Sequence, residues 1–400
     1  MTRTRLPAFP VSRDSILTLA ANEKPLTRDG RRSTPQAIGA RAAGKPAENS
    51  VLQDLTSKIG QLFLIGFAGD HLGPDHPLRA DIAEGNLGGV ILFDRFVAGR
   101  SDRHNIVDAE QIRDLTAALQ DLAGGRLLIA VDQEGGRVSR FPARRGFPET
   151  PPAAALGAAG IAATAQAARQ TAEMLAGAGV NFNLAPVVDL DLNPDNPIIG
   201  RYGRSFSNAA ATVVSHAKAW IGAHRELGIA SCLKHFPGHG SSGEDSHLGL
   251  VDISNCWSEA ELEPYRRLID GGFAEAIMVG HLKNTTLDRH CPATLSAKTL
   301  EFLLRRQLHF DGLLLSDDMQ MRAITDLYGL EEACCRALAA GIDMLIIGNN
   351  LHHDQQVFRS LCHSLAAATA SGELAEERIE QACQRVQTFK RTLLSRHVQF

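Results

Sequence analysis

The segment ASCLKHFPGHGSSGEDSHLGL, residues 230–250, gathers several ionisable side chains around one apolar run. The run ends in Lys234 and His235, a turn of proline and glycine follows, and Asp245 and His247 close the loop. Desolvating such groups is costly, so a buried strand seldom ends in them without a function. A lysine, histidines and a carboxylate close together suit general acid–base or nucleophilic catalysis.

Other apolar runs of the chain also end in polar residues. Asp132, Asn183, His281 and the pair Asp317-Asp318 each lie in or directly after such a run. If the runs are parallel strands, their carboxyl ends meet at one mouth of the fold, which is where α/β proteins hold their sites. We therefore expect these side chains to converge.

The elements that would position them alternate regularly from residue 61 onward. Eight short apolar runs are separated by amphipathic stretches and read QLFLIGF, GGVILF, LLIAVDQ, NFNLAP, SCLKHF, AIMVGHL, GLLLSDDM and DMLIIG. Such near-continuous apolar runs are typical of parallel strands that are covered on both faces. The pattern predicts an α/β fold, a single (β/α)8 TIM-type barrel, with two C-terminal flanking helices (355–370 and 374–394) on its outside. An open doubly wound sheet is the alternative, although no G-x-G-x-x-G follows the first strand.

The 400 residues divide into a flexible extension, 1–50, and one barrel domain, 51–400. The extension is rich in Arg, Pro, Ala and Ser and shows no sustained periodicity. A formal net charge of −4 argues against a nucleic-acid partner.

The cysteines and apolar stretches bear on the compartment. Seven scattered cysteines without a CxxC pair predict neither a disulfide framework nor a zinc site, and favour a reducing compartment. SILTLAA is too short for a secretory signal, and no apolar stretch reaches the roughly 18 residues of a membrane span. We predict a cytoplasmic protein that contacts no membrane. The first strand lacks the HxH pair of metal-dependent barrel hydrolases, so we expect no metal and no cofactor.

Several longer motifs carry a resemblance. KIGQLFLIGF, GGVILF, VDQEGGRVSRF, NPIIGRYGRSFS, KHFPGHG with DSHLGL, PATLS, SDDM and AGIDMLIIGN follow one another along the chain. From about Leu55 to Lys390 the chain resembles the bacterial β-N-acetylglucosaminidases of glycoside hydrolase family 3. Departures include Ser241-Ser242 after the GHG turn and Val251 where a proline is common.

The resemblance implies the catalytic groups. His247 would be the general acid/base, Asp245 would orient its ring, and Asp317 would be the nucleophile that forms a glycosyl-enzyme intermediate. A histidine with an ordinary pKa of about 6.5 can both give and take a proton near neutral pH. The residues alone leave Asp317 and Asp318 equal, and an isolated Asp-Ser-His could be a simple surface turn.

The resemblance also implies a set of sugar-binding residues, namely Asp132, Arg140, Arg204, Lys234 and His235. Carboxylates accept hydrogen bonds from sugar hydroxyls, and cationic groups donate to the remaining oxygens. Taken singly, Arg140 could be a surface arginine, and Arg204 and Lys234 could be ion-pair partners. We expect His239 to shape its turn, His281 to be a bonded core histidine, and the Glu134-Gly135-Gly136 turn to set backbone geometry.

The predicted function is that of a retaining exo-β-N-acetylhexosaminidase. It would remove terminal β-linked GlcNAc from muropeptides (GlcNAc-1,6-anhydro-MurNAc peptides) in peptidoglycan recycling, as a monomer whose partner is this small carbohydrate. Alternatives within the family are a β-glucosidase or β-xylosidase and a GlcNAc phosphorylase. Outside it, Lys234 could form a Schiff base in a lyase, or the barrel could bind sugar without catalysis.

Overall fold

Eight parallel strands form a closed barrel. The computed structural model of the chain describes residues 54–244 and 249–397. Its strands, numbered in chain order, are β1 Phe63–Ile65, β2 Gly89–Leu92, β3 Leu128–Val131, β4 Phe182–Asn183, β5 Ala230–Phe236, β6 Val251–Asp252, β7 Ala276–Val279, β8 Leu282–Lys283, β9 Leu313–Asp318 and β10 Met344–Ile347. The barrel order is β1-β10-β9-β7-β5-β4-β3-β2, and all eight predicted runs are confirmed as its strands.

Helices surround this barrel and bury the outer faces of its strands. They are α1 over residues 54–60, α2 Pro77–Ala83, α3 Ala109–Leu122, α4 Ala153–Ala159, α5 Ile161–Gly177, α6 Ala210–Glu226, α7 Glu263–Asp270, a π-helix Lys298–Gln307, α8 Arg322–Thr325, α9 Leu330–Ala340, α10 Val357–Ser371 and α11 Glu376–His397. Every residue of β5 is buried, as expected of a strand with helices outside and side chains inside. The predicted (β/α)8 fold is therefore confirmed.

Helix α11 packs on the outside of the barrel, as predicted, and crosses its amino-terminal mouth. Arg378 and Arg385 bind the carboxylate of Asp343, just before β10, at 2.7 and 3.1 Å. Lys390 donates to the Gln61 side chain before β1, at 2.8 Å. The ring of Phe389 lies 5.1 Å from that of Phe182 in β4. These partners begin strands on different sides of the barrel, and a helix reaches all of them only by spanning the opening.

Two short strands lie beyond the carboxyl ends of the barrel strands. β6 and β8 pair in parallel, Val251 with Leu282 and Asp252 with Lys283, next to a small apolar cluster. They tie the connection that follows β5 to the one that follows β7. Within the described ranges, no helix is long and apolar enough to cross a membrane. The predicted extension, residues 1–50, lies outside the described residues.

Candidate active site

A cavity of about 380 Å³ opens at the carboxyl ends of the barrel strands. Six of the predicted site residues line it: Asp132, Arg140, Arg204, Lys234, His235 and Asp317. A second cavity, of about 450 Å³, lies at the opposite end between α11 and the first residues of β5 and β9. Only the first cavity collects the polar strand ends, so it is the candidate active site.

Lys234 forms the buried centre of the cavity wall. Its Nζ lies 2.6 Å from Oδ1 of Asp132 and 2.7 Å from Oε1 of Glu134. Burial alone would lower the pKa of Lys234, but the two carboxylates outweigh it and raise the pKa. The ammonium group therefore stays charged. A Schiff base requires a neutral amine, so this arrangement disfavours the lyase alternative.

Glu134 is a site residue that the sequence interpretation missed, because it treated Glu134 only as part of a glycine turn. Its carboxylate accepts hydrogen bonds from Nε and Nη2 of Arg204, at 2.7 and 2.8 Å. Burial opposes its ionisation, yet Arg204 and Lys234 hold the pKa of Glu134 well below its usual range. The available signal was its spacing of two from Asp132 after a buried strand, which places both side chains on one face of an extended chain.

His235 is held by a second buried carboxylate that the sequence interpretation did not single out. Nδ1 of His235 lies 2.8 Å from Oδ2 of Asp189. The carboxylate of Asp189 also accepts from the backbone N–H of His239, at 2.9 Å. Nε2 of His235 faces Nη2 of Arg204 at 3.3 Å. Asp189 thus joins the end of β5 to the turn that follows it.

Arg140 reaches the cavity because its own loop folds back on Gln133. The Gln133 side-chain oxygen accepts from the backbone N–H of Arg140 and of Phe141, at 2.9 and 3.2 Å. Gly135 and Gly136 adopt positive φ values of 103° and 56°, as predicted for this turn. The guanidinium of Arg140 then lines the cavity instead of facing bulk solvent.

Asp317 and Asp318 end β9 and have different surroundings. Oδ1 of Asp318 accepts from the backbone N–H of Gln320 and of Gly348, at 3.0 and 2.9 Å. These bonds agree with its predicted structural role. Asp317 accepts from the backbone N–H of Asp318 at 2.8 Å and lines the cavity wall.

The predicted acid/base pair, Asp245 and His247, lies outside the described residues. The turn before it is anchored by its serines. Ser241 donates to Glu261 at 2.6 Å, and Oγ of Ser242 lies 2.7 Å from Nδ1 of His239. Burial raises the pKa of Glu261 to about 7. The two serines that depart from the family motif therefore hold the start of this loop.

His239 and His281, the two histidines predicted to be structural, have the surroundings expected of such residues. Burial lowers the pKa of His239 to about 4, so its ring is neutral and shapes the turn. His281 is fully buried between Thr294 Oγ1, at 2.8 Å, and the carbonyl of Asp318, at 3.1 Å. Among residues 54–244 and 249–397, no group of three or more His, Cys, Asp or Glu could hold a metal ion.

Comparisons with known proteins agree with this arrangement. The family model described as glycosyl hydrolase family 3 N terminal domain matches residues 54–389. The β-hexosaminidase of Tolumonas auensis is 39% identical over 271 residues, which cover 66% of this chain and 76% of that protein. That of Alkalilimnicola ehrlichii is 36% identical over 308 residues, covering 74% and 83%.

A solved structure shows the same similarity. The glycoside hydrolase family 3 β-N-acetylglucosaminidase from Paenibacillus sp. str. FPU-7 superposes with a TM-score of 0.77 at 34% identity. The match covers 85% of this chain and 62% of that longer one. The chain therefore belongs to glycosyl hydrolase family 3 and is a glycoside hydrolase of the same type as these relatives.

Proposed function

We propose that this chain is a retaining, exo-acting β-N-acetylhexosaminidase that removes a terminal β-linked GlcNAc. The observation that carries the proposal is the meeting of Asp317 with the Asp132, Lys234 and Arg204 cluster in one cavity of about 380 Å³. A cavity of this size suits one sugar ring better than a length of chain. The names of the relatives above, β-hexosaminidase and β-N-acetylglucosaminidase, support the same substrate.

In the proposed reaction, Asp317 attacks the anomeric carbon while the glycosidic oxygen leaves with a proton from His247. The resulting ester between Asp317 and the sugar is then hydrolysed by water, which returns a proton to His247. Asp245 would accept the ring N–H of His247 and favour its protonated form. Asp132, Arg140, Arg204, Lys234 and His235 would bind the hydroxyl groups of the sugar.

The buried ion pairs would fix these binding groups before substrate arrives. Glu134 and Asp132 hold the Lys234 ammonium from two sides, at 2.7 and 2.6 Å. The side chains of Lys234 and Glu134 are only 2% and 5% exposed, so water competes little with their contacts. Donors that are held in place need no reorganisation when a sugar binds, which favours the transition state.

The proposed natural substrates are muropeptides, in peptidoglycan recycling within the cytoplasm by a monomeric enzyme. This part of the proposal is supported by the family resemblance and by the scattered cysteines. The proposed reaction requires neither a metal nor a cofactor, because Asp317 would be the nucleophile and His247 the acid and base.

The proposal is tested with 4-nitrophenyl β-GlcNAc. We expect the wild type to release nitrophenol and the variant Asp317→Ala to lose about a thousandfold or more of kcat. A 5-fluoro glycosyl fluoride of GlcNAc should label the peptide that contains Asp317, seen by mass spectrometry. If wild type and a folded Asp317→Ala release nitrophenol at the same negligible rate, the proposal is wrong.

Substrate and acceptor are tested separately. We expect faster release from β-GlcNAc than from the matching β-glucoside or β-xyloside, and free GlcNAc as the product of a defined muropeptide. Addition of inorganic phosphate distinguishes hydrolysis from phosphorolysis, because phosphorolysis would yield GlcNAc-1-phosphate. A preference for the glucoside, or formation of the phosphate ester, would contradict the proposed reaction.

A further inference from the structure

Two arginines at the rim of the active-site cavity have no role in the proposed reaction. Arg95 follows β2, and Arg137 lies in the loop after β3. Both are exposed, and both line the active-site cavity as well as a neighbouring cavity of about 430 Å³. Among the described residues, neither guanidinium forms an ion pair within 4.0 Å, whereas Arg144 beside them is bound to Asp94 at 3.0 Å.

Arg137 is held in place although it is exposed. Its guanidinium carbon lies 4.5 Å from the centre of the Tyr202 ring, a cation–π contact. The residue before it, Gly136, has a positive φ of 56°, and the backbone N–H of Gly136 donates to Thr150 at 2.8 Å. A guanidinium that is already ordered loses less entropy when it binds an anion.

The depth of the two groups indicates which part of a substrate they meet. The sugar-binding side chains Lys234 and Arg204 are 2% and 9% exposed and form the cavity wall. Arg95 and Arg137 lie above them in contact with solvent. If the terminal sugar occupies the buried part, the group released by cleavage extends past the rim.

We propose that Arg95 and Arg137 form an anion-binding rim that recognises a carboxylate on the aglycone, the part of the substrate released with the glycosidic oxygen. This inference rests on the proposed function. Arginine pairs well with carboxylates because its planar fork donates two parallel hydrogen bonds. The chain as a whole carries a net charge of −4, so the attraction is local to the rim and not a property of the whole surface.

The test compares two substrates that differ only in charge. One is GlcNAc-1,6-anhydro-MurNAc with its free lactyl carboxylate, and the other is the same disaccharide with that carboxylate as a methylamide. Exposed ion pairs are weak, so we expect kcat/KM for the acid to exceed that for the amide by about three- to tenfold. Raising KCl from about 20 mM to about 500 mM should bring the ratio towards one.

Variants assign the effect to the rim. The double variant Arg95→Gln with Arg137→Gln should lower the acid-to-amide ratio to about one, and Arg137→Lys should retain part of it because the charge remains. A control double variant, Arg113→Gln with Arg306→Gln, removes two exposed charges elsewhere and should keep the wild-type ratio.

The outcomes separate this inference from the proposed function. If the wild type cleaves both disaccharides equally, or if the rim variant keeps the wild-type ratio, the inference is wrong while the proposed function stands. If the wild type releases no GlcNAc from either disaccharide but hydrolyses 4-nitrophenyl β-GlcNAc, muropeptides are not the substrate. The inference about the rim is then wrong as well. A wild type inactive on all three would contradict the proposed function itself.

Discussion

Glu134 binds Arg204 through both carboxylate oxygens, at 2.7 and 2.8 Å, while its Oε1 also lies 2.7 Å from Nζ of Lys234. One buried anion therefore orients two cations of the candidate sugar site. Glu134 lies in the loop after β3, Arg204 in the loop after β4, and Lys234 in β5. The Glu134 carboxylate therefore links three neighbouring segments at the mouth of the barrel.

The variant Glu134→Gln should lose stability as well as substrate affinity. Removing one member of a buried ion cluster leaves Arg204 and Lys234 incompletely compensated, which costs about 3 kcal/mol of unfolding free energy. Urea unfolding measures this change, and kinetics with 4-nitrophenyl β-GlcNAc should show a raised KM. Glu373→Gln, an exposed control, should change stability by less than about 0.5 kcal/mol. An equally small effect at Glu134 would refute the orienting role.

Glu261 should make stability depend on pH. Burial raises the pKa of Glu261 in the folded state to about 7 from its ordinary value of 4.5, so the folded protein binds more protons than the unfolded chain between these values. Its contribution is therefore complete below about pH 4.5 and is lost as the pH rises towards 7. A shift of this size corresponds to about 3 kcal/mol at 1.36 kcal/mol per pKa unit.

The isosteric variant Glu261→Gln tests this titration, since the amide oxygen can still accept the Ser241 hydroxyl. We compare the free energy of unfolding of the variant with that of the wild type, measured with urea. The variant should gain stability relative to the wild type between pH 5 and pH 8, by up to about 3 kcal/mol. If the difference in unfolding free energy between variant and wild type stays constant across this pH range, Glu261 does not titrate there.

His235 should carry its proton on Nδ1. Nδ1 lies 2.8 Å from the Asp189 carboxylate, which only accepts, and Nε2 lies 3.3 Å from Nη2 of Arg204, which only donates. The ring is thus expected to carry its hydrogen on Nδ1, with Nε2 as an acceptor of the Arg204 N–H. Nitrogen-15 NMR of labelled histidine distinguishes the tautomers, and His363, which is exposed, serves as the solvent reference. Protonation of Nε2 would contradict the assignment.

Gly348→Ala should lower kcat through Asp318. A Cβ at this position would lie 2.3 Å from Oδ2 of Asp318, so that carboxylate must move. The backbone N–H of Asp318 donates to Asp317 at 2.8 Å, and a shift here displaces the proposed nucleophile. We expect a fall in kcat of about tenfold or more, because small misplacements of reacting groups are costly.

The matched control is Gly222→Ala in helix α6. A Cβ there meets nothing within 4 Å, and alanine favours the helix, so this variant should gain about 0.5–1 kcal/mol of stability. It should retain wild-type kcat. If Gly348→Ala also retained wild-type kcat, the link from Asp318 to Asp317 would be refuted.

The apolar runs of the chain predicted each barrel strand because strand burial is a local pattern. A strand covered on both faces requires a continuous apolar run, and QLFLIGF or AIMVGHL meets that requirement by itself. The polar residues at the strand ends, including Asp132, Lys234 and Asp317, could be predicted as neighbours because parallel strands bring their carboxyl ends to one mouth.

The partners within the site could not be predicted from spacing along the chain. Glu134 and Arg204 are 70 residues apart, and Asp189 and His235 are 46 apart. Whether a buried carboxylate meets a cation at such separations depends on which loops the closed barrel brings together. The exact position of α11 could not be predicted for the same reason: its amphipathic pattern predicts a helix packed on the outside of the barrel, but does not indicate that it crosses the amino-terminal mouth.

The sequence by itself thus determined the barrel, the polar mouth and the family motifs, since each is carried by a short run of neighbouring residues. Only the tertiary structure decided that Glu134 and Asp189 hold the proposed sugar-binding residues Arg204, Lys234 and His235, that Glu261 anchors Ser241, and that α11 closes the far end. These are contacts between buried charged and polar groups, whose free energy depends on distance and on exclusion of water. Both quantities exist only after the chain has folded.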